Sequence, residues 1–287
     1  MNTTETESQA DRSESHGPSD ISLPVFFVLS AALSWAIWLW PLGRQGSFYL
    51  VLGRWRFQAP FDLTKLTIGV CAPGVLALTW SLLQGKGEFR NITGSLVRWR
   101  VSFIWYLAAV ALPWLLFWVS LAVTLFFFPS SKPRPSFGWF ALNLLLLIPF
   151  GPFWEEVAWR SFALRHLQKH FRELPSSLLL GLFWGFWHIP LWWSTLQLSS
   201  RNAFPVLTLA LVSVIGWSVV FAFVYNRSGQ SLPIVVALHA AYDSATAAIF
   251  PTLEGGQILF IATSAGLSIA LALILGTRMR DFGELMR

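Results

Sequence analysis

Long apolar stretches alternate with short polar connections along almost the whole chain. They fall near residues 21–42, 64–83, 101–128, 137–170, 176–196, 204–225, 232–250 and 256–277. A helix needs about 20 apolar residues to cross a hydrocarbon core. The pattern therefore predicts an all-α polytopic bundle of about eight spans over residues 21–287. Residues 1–20 are polar and rich in Ser, Thr and Glu, the composition of a disordered tail. They lack the basic segment beside an apolar run that marks a signal peptide. Between the first two spans, residues 47–52 are apolar but too short to cross as a helix, and Arg54-Trp55-Arg56 follows, which reads as interfacial. Residues 84–100 read as a basic loop, Pro73-Gly74 as a kink, and the three prolines in 129–135 as a turn. The fourth stretch is expected to run helically from Phe137 to about His170.

Composition sharpens this picture. The 287 residues are 55% hydrophobic and 12% charged, whereas a soluble domain carries about 25% charged residues. A separate soluble domain is excluded, and no internal repeat is visible. The net charge of +6 is scattered between apolar stretches, so membrane lipid rather than nucleic acid is the expected partner. Cys71 is the single cysteine, which rules out an intrachain disulfide and thiolate metal clusters.

Eight spans put both termini on one face. That face carries Arg12, Lys86, Arg90, Arg98, Arg100, Arg165, Lys169, Arg172, Arg227, Arg278, Arg280 and Arg287. The other carries Arg44, Arg54, Arg56, Lys65, Lys132, Arg134 and Arg201. The Lys/Arg excess predicts cytoplasmic termini. The expected location is a prokaryotic plasma membrane, with the glutamates of the fourth span toward the cytoplasm and a polar cavity opening there.

Few ionisable groups interrupt the spans: Glu155, Glu156, Arg160, His188, His239 and Asp243. A charge near a bilayer centre costs at least about 2.5 kcal/mol, so such residues face a protein interior and mark function. Glu156 and Arg160 stand at i,i+4 and can pair, and Glu155, about 100° around the helix, is left for other work. His239 and Asp243 share a face. Each cluster alone reads as structural: an ion pair at a helix end, a hydrogen-bonded core histidine, a local His–Asp contact. Three clusters on three spans solve their burial together by pooling in one cavity.

These are tools for hydrolysis. A buried glutamate can act as a general base on water, and histidines can hold that water, bind a metal or donate to an oxyanion. Zinc takes His and carboxylate ligands, so Glu155, His188, His239 and Asp243 could form a zinc site. Glutamate catalysis without a metal uses the same residues. There is no His-Glu-x-x-His helix, and Ser161 and Ser244 sit in no nucleophile motif. Trp184 and Trp187 are expected on a substrate wall beside His188, with Phe186 as a further candidate, while Trp192 and Trp193 read as lipid-facing or interfacial.

Glu155-Glu156-x-x-x-Arg160, an aromatic-x-x-x-His ending at His188, and His239-x-x-x-Asp243 together resemble the CPBP family, the CAAX prenyl protease and bacteriocin-processing (ABI) intramembrane proteases. The resemblance covers about residues 98–250, the expected catalytic core. It implies a membrane peptidase acting on a membrane-associated, prenylated or leader-type peptide. Glu155 would activate water that His188 holds, Glu156 and Arg160 would support the site, and His239 with Asp243 would stabilise the oxyanion or complete a metal site. Two positions depart from the pattern. Trp184 stands where the family usually has Phe, a change expected to affect only packing. Asp243 stands where the prenyl-protease branch typically has Asn. An ionised Asp cannot donate to an oxyanion, so Asp243 is expected instead to orient His239. A non-proteolytic immunity or scaffold protein of the same fold and a transporter with a proton relay are the rival readings, and the missing repeat weighs against the transporter.

Overall fold

A computed structural model describes residues 23–39, 48–52, 55–59, 63–129, 137–195, 203–249 and 256–279. The tail over residues 1–20 lies outside them. The described chain is a helix bundle: α1 (Leu23–Leu39), α2 (Leu63–Gln84), α3 (Lys86–Leu96), α4 (Phe103–Phe127), α5 (Phe137–Leu147), α6 (Pro152–Glu156), α7 (Arg165–Gln168), α8 (Glu173–Thr195), α9 (Ala203–Arg227), α10 (Leu232–Ile249) and α11 (Gln257–Gly276). Six of these are long and apolar enough to cross a membrane. The bent pair around residue 151 makes a seventh span, and α1 is a shorter apolar helix.

α1 nevertheless reaches as deep as α2. Phe26 meets Trp80 near one end, the Ser34 hydroxyl donates to the Gly69 carbonyl at 2.7 Å, and Trp38 reaches the Leu66 carbonyl near the other. These contacts run antiparallel over the whole of α1, so eight elements traverse the bundle.

One local expectation, the basic loop, is corrected, and two other stretches gain detail. The interfacial stretch after α1 forms an antiparallel hairpin, β1 (Phe48–Leu52) with β2 (Trp55–Ala59), pairing Leu52 with Trp55. The basic loop is largely helical, as α3. It is amphipathic and buries Ile92 and Ser95, with polar residues such as Lys86 outward. α2 also continues through Pro73. Beside it Gly74 matters: a Cβ there would stand 2.5 Å from the Trp154 carbonyl oxygen. Only glycine lets α6 seat this closely on α2, the small-residue contact by which membrane helices approach.

The largest correction is the fourth span, which is not one helix. A 3-10 turn (Ile148–Phe150) ends α5, and the axis bends by 55°. Pro149 and Pro152 have no amide hydrogen to donate, and Gly151 is extended and non-helical at φ −155° and ψ −77°. α6 restarts with Pro152 in its first turn and runs into a π-helix (Val157–Leu164, π1) before α7. π-helical turns are rare and collect at functional sites. All eight residues of π1 are buried.

Candidate active site

Four elements bring the polar clusters together. α6 supplies Glu155 and Glu156, π1 supplies Arg160, α8 supplies His188, and α10 supplies His239 and Asp243. A cavity of about 550 Å³ lies between them. Glu155, His188, His239 and Asp243 line it, and Glu156 and Arg160 lie behind, fully buried.

The two glutamates have different partners. Glu156 Oε1 accepts from Arg160 Nη1 at 2.8 Å and contacts His239 Nδ1 at 2.7 Å. A carboxylate only accepts, so Nδ1 carries the hydrogen and Nε2 of His239 faces away from Glu156. The Arg160 guanidinium lies over two adjacent tilted rings, Trp184 and Phe221, 4.4 and 4.6 Å from their centroids. This cradle keeps a cation in an apolar interior by pairing it with one carboxylate and two ring quadrupoles.

Glu155 is held differently. Its Oε2 accepts from the Trp184 indole N–H at 2.8 Å and from that of Trp159 at 3.4 Å. His188 Nε2 lies 3.8 Å from the same oxygen, too far for a direct hydrogen bond. Nδ1 of His188 meets the Trp184 carbonyl at 2.8 Å. A carbonyl only accepts, so in the neutral ring Nε2 is an acceptor. Glu155 Oε2 and His188 Nε2 therefore form a pair of acceptors at a cavity wall. A water donating to both would turn its oxygen lone pairs toward the cavity.

Asp243 is the most solvated of the group, with its side chain 36% exposed. Its Oδ2 stands 3.6 Å from His239 Nε2, longer than a hydrogen bond. The orienting partner of His239 is thus Glu156. Asp243 faces the other ring nitrogen as a more distant contact.

The aromatic wall differs from expectation as well. Trp184 lines the cavity, but Trp187 does not; it is fully buried behind His188, packed on Trp38 and Trp159. Phe186 and Trp193 are exposed at the bundle surface. Trp192 takes the wall position, stacked flat on His188 with centroids 5.2 Å apart. Sequence reasoning also missed what the Trp184 indole does. It places a donor on Glu155 that phenylalanine cannot supply, and four-residue spacing from His188 was the one available signal.

Among the described residues, no three His, Cys, Asp or Glu side chains are grouped to hold a metal ion. The Nδ1 atoms of both histidines are engaged, by a carbonyl and by Glu156, and the Nε2 atoms face different carboxylates. Any metal would therefore meet the two Nε2 atoms, with the engaged Nδ1 atoms orienting the rings from behind.

Comparison with known proteins bears on this region. Residues 137–245 match the model of a family described as type II CAAX prenyl endopeptidase, Rce1-like. All six polar site residues fall within the match. A 56-residue stretch is 36% identical to CAAX prenyl protease 2 of Methanococcus maripaludis, covering 20% of this chain and 21% of that protein. Residues 137–245 are thus similar to the Rce1-like CAAX prenyl endopeptidases, and the site motifs lie in that similar stretch. The aligned stretch spans only about a fifth of the length of this curated relative. Against the CPBP pattern, this site keeps both glutamates, the arginine and both histidines, and departs at Trp184 and Asp243.

Proposed function

We propose that the chain is an intramembrane endopeptidase that uses Glu155 to activate water. The observation that carries this reading is the pair of acceptors at the cavity wall, Glu155 Oε2 and His188 Nε2, 3.8 Å apart. Water held by both loses a proton to Glu155 as its oxygen attacks the peptide carbonyl carbon. The developing oxyanion is met by His239 Nε2, which donates when the ring is protonated between Glu156 and Asp243. Glu155 then passes its proton to the leaving amine as the C–N bond breaks. Every bond made and broken is accounted for by one water, with no group beyond these side chains required.

The wall chemistry bears on the substrate. The lining is apolar apart from hydroxyls, the two histidines and two carboxylates, and it includes no Lys or Arg. An extended, apolar stretch of a membrane-associated peptide suits it better than an anionic end.

The test is a comparison of peptides released from membranes holding the wild-type chain and the Glu155→Ala variant. Species that depend on Glu155 are expected, and they should persist in chelators and in Asp243→Asn. If no released species depends on Glu155, the peptidase reading fails and a scaffold role takes its place. Release that chelators abolish, with stoichiometric zinc lost from Asp243→Asn, would sink the metal-free arrangement.

Trp184→Phe gives a second expectation. The ring volume is largely kept, while Glu155 loses its shortest hydrogen bond. Hydrogen bonds to charged groups contribute about 1.5–3 kcal/mol, so turnover should fall about 10- to 100-fold with little change in KM. Unchanged turnover in a steady-state assay would show that the indole serves packing alone.

A further inference from the structure

The two faces of the bundle can be identified from contacts between helix ends. On one face Glu173, at the start of α8, binds Arg227 at the end of α9, and Arg227 donates to the Arg278 carbonyl just past α11. Arg98, before α4, donates to the Gly229 carbonyl, before α10, on the same face. With α1 antiparallel to α2, the start of α1 belongs to this face too, so both termini leave the bundle here. On the opposite face, Gly256 before α11 lies against Thr124 and Phe128 at the end of α4.

The cavity belongs to the second face. Its rim is built from Leu66 and Thr67 near the start of α2, Thr246 and Ala247 near the end of α10, and Phe260 and Ile261 near the start of α11. Asp243, the most exposed site residue, lies one turn from the Thr246 rim, and His239 lies one turn deeper. Toward the termini the site is sealed. Glu156, Arg160, Ser161, Leu164, Phe221 and Tyr225 are all fully buried there. The expectation that cytoplasmic termini go with a cytoplasmic opening is therefore inconsistent with the fold, since mouth and termini are on opposite faces.

Charge then orients the bundle. By sequence the terminal face carries twelve Lys and Arg (Arg12, Lys86, Arg90, Arg98, Arg100, Arg165, Lys169, Arg172, Arg227, Arg278, Arg280 and Arg287) against seven on the mouth side (Arg44, Arg54, Arg56, Lys65, Lys132, Arg134 and Arg201), so the excess lies on the terminal face. Lys and Arg within short connections are retained on the cytoplasmic side. We infer that the cavity opens to the extracytoplasmic face of the membrane and takes a peptide segment presented from the outer leaflet or the space beyond it. This rests on the peptidase reading for its substrate, and on geometry and charge alone for its direction. A substrate anchored in the cytoplasmic leaflet would find the sealed side.

The test uses the full chain with Cys71→Ser and one added cysteine at a time, in sealed membrane vesicles of known orientation. Thr246→Cys and Ile261→Cys probe the rim, and Lys86→Cys and Lys169→Cys probe the terminal face. A membrane-impermeant thiol reagent should label the rim cysteines in right-side-out vesicles and lose them in inside-out vesicles. Lys86→Cys and Lys169→Cys should show the reverse. Rim labelling from the cytoplasmic side, labelling of rim and terminal positions from one face, or no rim labelling from either face would each overturn the inference. Labelling needs no turnover, so a failed hydrolysis assay and a misplaced mouth give different results.

Discussion

Glu155→Gln should abolish hydrolysis and leave the bundle folded. The substitution keeps the shape of the side chain, and an amide oxygen can still accept from the Trp184 indole. It removes the one property the reading depends on, the capacity to take a proton from water. Positioned general bases contribute about 10²- to 10⁴-fold in rate, and Glu155 also returns the proton to the leaving group, so the loss should reach the upper part of that range. Thermal unfolding in detergent should stay close to wild type. Among the described residues Glu155 makes no Lys or Arg salt bridge, and its hydrogen bonds are to two neutral indoles. Full activity in Glu155→Gln, measured on any peptide that the wild-type chain cleaves, would refute glutamate-activated water.

The second large effect is on stability. Arg160→Ala should destabilise the bundle far more than Glu155→Gln does. The variant strands Glu156 as a fully buried carboxylate and opens a gap over the Trp184 and Phe221 rings. Breaking a buried pair by removing one partner costs about 3–5 kcal/mol, because the remaining charge is uncompensated. Glu156→Gln leaves Arg160 uncompensated and weakens the acceptor that holds His239, so it should lower both stability and rate. Combining Glu156→Gln with Arg160→Met removes both charges and should recover part of the stability without recovering the rate. Unfolding temperatures of the four variants decide the matter. Equal stability for Glu155→Gln and Arg160→Ala would show that Arg160 is not the keystone of the site.

The eight apolar stretches were legible because hydrocarbon imposes one strong condition, the burial of about 20 residues in a row. The six ionisable residues were legible for the converse reason, their cost in the same stretches. What escaped notice depends on the third dimension. Glu156 and His239 are 83 positions apart, and nothing in the spacing of His239 and Asp243 shows that the nearer carboxylate is the looser partner. Trp184 and Trp187 are both aromatic and both near His188. Only the helix rotation in the packed bundle puts one in the cavity and the other behind it. The break in the fourth span was signalled by Pro149, Gly151 and Pro152, but a continuous apolar composition outweighed them. The α3 helix was hidden by its polar composition, because its burial is confined to one stripe against α2 and π1.

The π-helix carries a consequence for descent. Its i→i+5 bonds enclose one residue more than those of an α-helix, so π1 has room for a residue that an α-helix in its place would lack. Among relatives, single-residue insertions and deletions between the glutamate doublet and Arg165 should fall inside Val157–Leu164. A relative lacking one residue there would return to α pitch while the turns beyond the gap keep their face, because the π turn holds the extra residue without rotating them. Only residues inside the π stretch, Arg160 among them, would be re-aimed, away from the Trp184 and Phe221 rings. The gap and a changed partner for the second glutamate should therefore be inherited together, and an aligned set of sequences that separates them would show that the two are independent.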